Sequence, residues 1–440
     1  MAGRKRPSQP ESVDAYAALR QPNYRRYVAG WTASTVGLVM LNAAVNWELY
    51  ERTGSALVLG LVGLFVAFPV LTLALPAGHL ADTMDRRRIL LFSQFLLTAA
   101  AIAMCFVSYL HAPIWMVYGL LLVAGTARAF GAPARGAMLP LIVPEKIFQN
   151  AVAWNSFIFH FSATIGPIIA GMLMHYLHCA WPVFGLSAIG AVVFAISLVF
   201  VHPRQANHSP DALNLKSLMA GAGHLRREKT ILAAITLDLF AVLLGGATSL
   251  MPIYAKDILK VGAIGYGALR AAPYVGAFVM SAALAHRPPF ERAGRSLLLA
   301  VAGFGVATII FGVSTSFPLS LICLLTAGAL DSISVVVRHV LVQVRTPDSL
   351  RGRVSAVNTL FIDTSNELGG FESGLVAKFF GPVFSVVSGG IGTILVVMGI
   401  AAAWPEIRRL GRITSRDERP MPSEEITLDP TMPRTIQSRT

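Results

Sequence analysis

Long apolar runs, separated by short polar segments, constrain the fold of this chain more than any other feature. Residues 57–80, 89–110, 185–201 and 381–404 are examples. Each run is close to the ~20 residues that a helix needs to cross a hydrocarbon core ~30 Å thick. Lipid offers the backbone no hydrogen-bond partners, so a spanning run must satisfy its own polar groups as a helix. Charged residues are 13% of the chain, against roughly 25% in soluble domains, which favours a membrane protein.

The second half of the chain is a diverged repeat of the first half. A displacement of 203 or 204 positions matches Arg135 with Arg338, Asn155 with Asn358, Gly166 with Gly369, Gly171 with Gly374, Tyr50 with Tyr254 and Gly63 with Gly267. A repeat of this length is far longer than the period of roughly 20–50 residues that marks a solenoid. It therefore predicts two similar halves that face each other, and the interface between them is where we expect function.

The apolar runs and the repeat together predict an all-α membrane protein with twelve transmembrane helices in two pseudo-symmetric six-helix bundles. The predicted spans are 27–50, 57–80, 89–110, 114–134, 151–176, 181–201, 231–254, 263–285, 296–313, 318–338, 355–379 and 383–404. We expect five segments along the chain, namely a cytoplasmic N-terminal segment (1–26), a first bundle (27–201), a cytoplasmic linker (202–230), a second bundle (231–404) and a disordered cytoplasmic tail (405–440).

Basic residues are concentrated in alternate loops, and this asymmetry predicts the orientation of the bundle in the membrane. The basic set of loops includes Arg25, Arg26, Arg86, Arg87, Arg88, Arg204, Arg226, Arg227, Arg292, Arg295, Arg351, Arg353 and Arg408. The other set carries little more than Arg52, Lys256, Lys260 and Lys378. The excess of positive charge on cytoplasmic loops predicts a multi-pass protein of the inner cell membrane with both termini in the cytoplasm. The net charge of +13 is spread over all inner loops, which indicates anchoring to membrane lipid rather than binding of nucleic acid.

The sequence gives no sign of an enzyme, a metal site or a cofactor site. The three cysteines, Cys105, Cys179 and Cys323, lie in or beside apolar spans and lack metal-ligand spacing. We interpret them as packing residues. No pairing of nucleophile and base is evident either, so we expect neither catalytic residues nor a bound cofactor.

The loop after the second predicted span carries a compact set of small, acidic and basic residues. Gly78 precedes Asp82 by one helical turn, and arginines follow at Arg86 and Arg87. A small residue lets two helices approach closely. A carboxylate at the membrane face can cap a facing helix or pair with a facing arginine. The arrangement therefore predicts a contact between helices at the cytoplasmic side.

The chain resembles the major facilitator superfamily in this loop and in its twelve spans, over about residues 24–404. Residues 23–27, 50–56, 82–88 and 350–354 resemble the branch of enterobactin exporters and macrolide-type drug efflux proteins. The resemblance implies the major facilitator fold, and a gating latch formed by Gly78, Asp82, Arg86, Arg87, Arg135, Arg338 and Arg353. Thr83 and Asp85 stand where the superfamily pattern has Arg and Gly. The matching loop of the second half, 285–295, lacks the acid, so we expect an asymmetric latch.

The fifth predicted span carries Gly166, Pro167 and Gly171, which resemble the Gly-Pro motif of antiporters in the superfamily. Proline frees a backbone carbonyl and bends a helix, and small residues permit close helix crossing. The resemblance implies export, while a kinked packing helix is the structural alternative. Arg128 in the fourth span resembles the intramembrane arginine associated with proton coupling.

The repeat separates scaffold residues from candidate functional ones. Residues kept by both halves are expected to build the scaffold. A charge kept by one half needs another reason, because a charge in mid-span costs at least ~2.5–3.5 kcal/mol on insertion scales. The candidates for proton coupling or substrate contact are Asp238, Asp331, Asp363, Glu367, Arg128, His160, Asn42 and Asn46.

Several of these candidates have more than one interpretation. Asp363 and Glu367, four residues apart, share one helix face, which predicts either a proton carrier or a polar wall of a central cavity. Asp238 either contacts proton or substrate, or makes a structural hydrogen bond. Arg128 and Asp331 either pair across the halves or pair locally.

The sequence predicts a secondary active transporter that works by alternating access. The expected activity is proton-coupled export of an amphipathic organic compound, such as a drug or siderophore, by a monomer. Its partners would be the small-molecule substrate, protons and membrane lipid. A proton-coupled importer of a small metabolite, or a non-transporting membrane receptor, are the alternatives.

Overall fold

The computed structural model describes residues 14–204, 223, 228–245, 247–288 and 290–413. The side chains of residues 348, 349, 351–353, 355, 356, 360 and 363 are outside this description. All regular structure in the described residues is helical, which confirms the predicted all-α fold. The first 13 residues, most of the linker and the tail beyond residue 413 lie outside the described residues.

Within each half, long helices follow one another, mostly with short connections. They are α1 (Pro22–Thr53), α2 (Ala56–Thr83), α3 (Arg86–Tyr109), α4 (Ile114–Ile142), α5 (Phe148–Leu177), α6 (Trp181–Val199), α7 (Lys229–Leu244), α8 (Gly262–Ala285), α9 (Ala293–Val313), α10 (Phe317–Arg345), α11 (Asp348–Phe380) and α12 (Pro382–Ala403). Short connections make successive helices antiparallel, so the chain crosses the bundle repeatedly. Helices α4, α10 and α11 begin or end well beyond the predicted spans.

Eleven helical segments in the described part of the chain are long and apolar enough to cross a membrane. Helix α11 is not among them because its 33 residues include several charges. It nevertheless packs inside the bundle against α2, α7 and α12. Its buried polar side chains Asn358, Ser365 and Ser373 therefore lie among other helices rather than in lipid, which is where polar groups are tolerated in membrane proteins.

The seventh span is interrupted, although the sequence predicted one continuous helix over 231–254. Helix α7 ends at Leu244, and Gly245 is its C-cap. A 3₁₀ turn (Ala247–Leu250), one α-helical turn (Met251–Ile253) and a π turn (Tyr254–Ile258) follow. Adjacent glycines at 245 and 246 lower helix propensity by roughly 1 kcal/mol each relative to alanine, which accounts for the break.

The two halves share one apolar core at one end of the bundle and have separate cores at the other. We term the end that carries residues 14 and 413 the termini side, and the opposite end the far side. The shared core includes Leu41, Tyr50, Leu59, Tyr254 and Tyr266. At the termini side, one core is built from the first half alone and another from the second half alone. The bundle is therefore closed at the far side and divided at the termini side.

Repeated glycines make the two helix crossings between the halves. Helix α2 crosses α11, where a Cβ on Gly374 would lie 2.6 Å from the Gly60 Cα. Helix α5 crosses α8, where a Cβ on Gly171 would lie 3.2 Å from the Gly267 Cα. Gly171 and Gly374 are repeat mates. The two crossings are thus related by the pseudo-symmetry that the sequence predicts, and both need small residues.

The chain after α12 is ordered as far as residue 413, contrary to the expectation of a disordered tail from residue 405. Pro405–Arg408 form a helical turn, and Ile407 is fully buried against α9. The backbone N–H of Gly294 donates to the Leu410 carbonyl at 3.2 Å. Apolar residues at helical spacing among the arginines give this segment a face to bury, which composition alone concealed.

Candidate functional site

An ion pair crosses the interface between the halves near mid-membrane. The Arg128 Nη1 of α4 lies 2.9 Å from the Glu367 Oε1 of α11. Their side chains are 34% and 23% exposed, so both border the space between the halves. Both residues come from the middle of their helices. The pair places opposite charges at the interface between the halves.

The predicted partner of Arg128 was Asp331 in one interpretation, and the structure contradicts that pairing. Arg128 is paired with Glu367. Asp331 of α10 is half-buried, and among the described residues it has no hydrogen-bond or ion-pair partner. The repeat equates positions 128 and 331, but pseudo-symmetry puts them on opposite walls rather than in contact. Asp363 lies one turn before Glu367 on α11, and its side chain lies outside the described residues.

A small cavity with polar and apolar walls lies inside the first half, between α1, α2, α3 and α4. It has a volume of about 40 Å³, and its polar lining includes Ser34, Asn42, Gln94, Arg128 and Arg135. The Ser34 hydroxyl donates to the Gln94 Oε1 at 2.9 Å, and both side chains are buried. The cavity thus continues the polar surface at Arg128 into the first half. Sequence reasoning did not select Ser34 or Gln94, since neither carries a charge.

The matching position in the second half holds a buried ion pair. Arg338 of α10 contacts the Asp238 carboxylate of α7. Their side chains are only 2% and 8% exposed. Asp238 therefore has a structural partner inside its own half, which was one of its two interpretations. Arg338 is buried inside the second half, and its role in a gating latch stays a prediction.

Two hydrogen bonds join the halves at the far side. The Tyr50 hydroxyl at the end of α1 donates to the Asp257 carboxylate in the π turn after α7. The Tyr266 hydroxyl of α8 donates to the Ala43 carbonyl of α1 at 3.1 Å. Asp257 lies outside the predicted candidates. Its signal in the sequence was weak, because an acid just beyond an apolar run looks like an ordinary loop residue.

Four of the predicted latch residues, Gly78, Asp82, Arg86 and Arg87, lie together at the termini side of the first half. Gly78 is buried in α2, and the Arg86 Nη2 donates to the Asp82 carbonyl at 3.4 Å. The Arg87 guanidinium donates to the Val199 carbonyl of α6. Asp85 caps α3, because its Oδ1 accepts from the Arg87 N–H at 2.9 Å. The Arg353 side chain lies outside the described residues.

The Gly-Pro segment of α5 faces two other helices. Gly166 packs against Val36 and Val39 of α1. The Pro167 carbonyl and Gly171 lie against α8 at the crossing with Gly267. The segment therefore contributes to the interface between the halves, as the close-packing argument predicted.

The remaining polar candidates differ in their surroundings. The Asn46 Nδ2 donates to the Asn42 carbonyl at 2.7 Å and is buried, so Asn46 bonds its own helix. Asn42 lines the polar cavity. The His160 Nδ1 of α5 is buried without a partner in the described structure. No group of three or more His, Cys, Asp or Glu residues among those described could hold a metal ion.

Curated proteins similar to this chain include enterobactin exporters. It is 26% identical over 392 residues to the enterobactin exporter EntS of Shigella boydii serotype 4 (strain Sb227), covering 88% of this chain and 93% of that protein. The same identity and coverage hold for the enterobactin exporter EntS of Escherichia coli O1:K1 / APEC. The match runs through both halves of the chain.

Solved structures of transporters share the fold. The nucleoside transporter NupG superposes with a TM-score of 0.66 at 12% identity, covering 87% of this chain and 98% of that chain. A bacterial homologue of the iron transporter ferroportin in an inward-facing state gives 0.64 at 16% identity, covering 86% and 98%. Residues 13–432 match the family described as transmembrane secretion effector. The chain therefore belongs to the transmembrane secretion effector family of the major facilitator superfamily, and it is a transporter rather than an enzyme.

Proposed function

We propose that this protein exports an amphipathic organic compound from the cytoplasm by proton-coupled alternating access. The observation that carries the proposal is the Arg128–Glu367 ion pair, which joins the halves at mid-membrane. Similar proteins named enterobactin exporters support export rather than import. The Gly-Pro segment of α5 at the interface between halves supports the same direction.

The shape of the bundle supports alternating access. The halves share a core at the far side and are divided at the termini side. With both termini in the cytoplasm, as the loop charges predict, this is a state open to the cytoplasm. Rocking of the halves about the glycine crossings would exchange the shared core at the far side for one at the termini side.

The Arg128–Glu367 pair supplies a physical basis for proton coupling. An ionised Glu367 attracts Arg128 and stabilises the state in which α4 and α11 lie close at this level. A proton on Glu367 removes its negative charge and weakens that attraction. The change is large because charges attract strongly where little water is present. Proton binding therefore shifts the population between the two facing states by differential stabilisation. Asp331, which has no ion-pair partner among the described residues, is the second candidate proton carrier.

The apolar walls and the few polar groups fit an amphipathic substrate. Leu38, Val66, Leu97 and Leu121 line the first-half cavity together with its polar residues. Phe157, Phe159, Phe161 and Phe361 are exposed on α5 and α11. A compound with an aromatic or aliphatic body and one polar end would contact both kinds of surface.

Efflux from cells tests the proposal. The full-length chain would be expressed in an enterobactin-producing strain that lacks its own exporter, and released and retained enterobactin would be measured, together with retention of hydrophobic drugs. We expect Glu367→Gln to lower gradient-driven efflux at least about tenfold, since one lost charge–charge hydrogen bond is worth about 1.5–3 kcal/mol. The matched control is Glu372→Gln, five residues along α11 and without an arginine partner among the described residues.

The outcomes separate the alternatives. Lower retention by wild type that disappears with an uncoupler supports proton-coupled export. Higher retention by wild type would instead identify an importer. Absence of any flux from proteoliposomes would identify a receptor. Equal efflux by the Glu367→Gln protein and wild type would remove this residue from the coupling mechanism.

A further inference from the structure

Helix α8 of the second half carries an arginine, Arg270, whose neighbour is a neutral group. Arg270 lies about 12 Å from the start of α8 at 1.5 Å per residue, and it is half-buried. Its guanidinium lies beside the Tyr266 hydroxyl. None of the ion pairs in the described part of the chain includes Arg270. An arginine stays protonated in proteins, so no described carboxylate balances this permanent charge.

The contact with Tyr266 places the Arg270 charge deep in the membrane. Tyr266 is fully buried, and its hydroxyl donates to the Ala43 carbonyl of α1 at 3.1 Å. Ala43 lies about 10 Å inside the predicted first span, which ends at residue 50, at 1.5 Å per residue. A charge at this depth is costly and is seldom without a function. The repeat equates Arg270 with Val66, so the scaffold shared by the two halves does not need a charge here.

Two aromatic rings from different halves lie next to Arg270. Tyr274 follows Arg270 by one turn on the same face of α8. Its ring contacts that of Phe159 of α5 edge to face, with centroids 6.4 Å apart. Phe159 is 46% exposed, although it lies two turns before Gly166 on the face of α5 that packs against α1. The exposure therefore comes from the gap between the halves, whose cores are separate at the termini side.

We propose that Arg270, Tyr274 and Phe159 form a subsite for an aromatic anion. The guanidinium binds a carboxylate or phenolate of the substrate, and the two rings hold its aromatic body. Guanidinium N–H donors match the geometry of a carboxylate, and charge-assisted hydrogen bonds are the strong ones. Aromatic rings favour edge-to-face and offset contacts with one another. This inference rests on the proposed transport function and specifies the class of substrate.

The subsite belongs to both halves and is separate from the proposed coupling pair. Phe159 lies in the first half and Arg270 in the second, so a bound substrate contacts both sides of the α5–α8 crossing. The Arg128–Glu367 pair involves α4 and α11 instead. Opening of the far side would separate Tyr266 from the Ala43 carbonyl and bring far-side water to Arg270. The same arginine can therefore hold the anion in both facing states.

Binding of two probes to the purified full-length protein tests the anionic part of the subsite. Dansylglycine and dansylglycinamide share an aromatic body and differ in a single carboxylate, and dansyl fluorescence reports their binding. We expect wild type to prefer dansylglycine about tenfold or more. Arg270→Gln should bind the two probes equally. Arg270→Lys, which keeps the charge without the planar fork, should keep a smaller preference.

The matched control is Arg287→Gln, which removes an exposed arginine just beyond the end of α8. It should show the wild-type preference. Thermal unfolding gives a second readout of binding, since a ligand stabilises the folded state that binds it. Dansylglycine should raise the unfolding temperature of wild type, Arg287→Gln and Arg270→Lys, but not that of Arg270→Gln.

A substitution in the first half tests the aromatic part. Phe159→Leu should weaken the binding of both probes alike, by about two- to tenfold, and leave the preference for the carboxylate unchanged. Unchanged affinities for both probes would overturn the role of the rings.

Three results would overturn the role of Arg270, namely no preference in wild type, a preference that survives Arg270→Gln, or a preference that is lost in Arg287→Gln. Glu367→Gln should lose efflux and keep the preference, because the coupling pair lies elsewhere. Absence of efflux from cells that express wild type, together with an intact preference for dansylglycine, would contradict the transport proposal alone.

Discussion

Asp238 of α7 and Arg338 of α10 form an ion pair that is almost completely removed from water inside the second half. Taking two charges out of water costs several kcal/mol per ion, and only close mutual contact offsets that cost. The pair therefore fixes the position of α7 against α10 at the termini side. Its repeat mates in the first half, Ser34 and Arg135, line a cavity instead.

Replacing one partner of this pair should destabilise the protein strongly. Asp238→Asn leaves the Arg338 guanidinium buried without its counter-charge, and we expect unfolding to become easier by about 3–5 kcal/mol. Thermal unfolding in detergent micelles measures the change. The double variant Asp238→Asn with Arg338→Met removes both charges and should recover most of the loss. An Asp238→Asn protein as stable as wild type would show that the ion pair does not contribute to stability.

Replacing Asp331 by asparagine should raise the stability of the protein, whereas the same replacement at Asp238 lowers it. It is half-buried in mid-membrane and has no partner among the described residues, so its charge is uncompensated. We expect Asp331→Asn to raise stability by about 1 kcal/mol, less than the roughly 2.5–3.5 kcal/mol of a charge at a helix centre, because the side chain is only half-buried. Efflux should fall at the same time. A stable variant with unchanged efflux would exclude Asp331 as a proton carrier.

The Tyr50–Asp257 hydrogen bond should hold the far side closed. Tyr50→Phe removes the donor to the Asp257 carboxylate, and a hydrogen bond to a charged group is worth about 1.5–3 kcal/mol. We expect the population open at the far side to rise about tenfold, measured as the distance distribution between spin labels on the far ends of α1 and α8.

The repeat provides a control for this experiment. Tyr254, the repeat mate of Tyr50, donates to the Gly312 carbonyl at 2.8 Å within its own half. Tyr254→Phe should therefore affect stability without opening the far side. The same shift in distances from both variants would mean that the bond between the halves is not the cause.

The glycine crossing between α2 and α11 should not tolerate a side chain. A methyl group at Gly374 would lie 2.6 Å from the Gly60 Cα, so Gly374→Ala must move two helices apart. Overpacking of this kind costs typically about 1–3 kcal/mol, and the unfolding temperature should fall. Gly399→Ala in α12 is the matched control, since a Cβ there meets nothing within 4 Å. It should be neutral or slightly stabilising.

Features that depend on one helix, or on the comparison of the two halves, were predictable from the sequence. The apolar runs gave the helices because lipid leaves a spanning backbone no other way to satisfy its hydrogen bonds. The repeat indicated two facing halves, and its mates Gly171 and Gly374 do lie at the crossings between them. The Gly-Pro segment of α5 was also correctly expected to pack closely. The resemblance in residues 82–88 led to the correct superfamily.

Which charges meet could be decided only by the tertiary structure. A displacement of 203 positions equates Arg128 with Asp331 but does not say that Arg128 contacts Glu367, a residue on a helix of the other half. It matched Arg135 with Arg338 as shared scaffold, yet one arginine faces a cavity and the other an acid. Periodicity reports which residues share a face of one helix. The rotation and crossing of neighbouring helices determine which faces meet, and these follow from packing between segments distant in the chain.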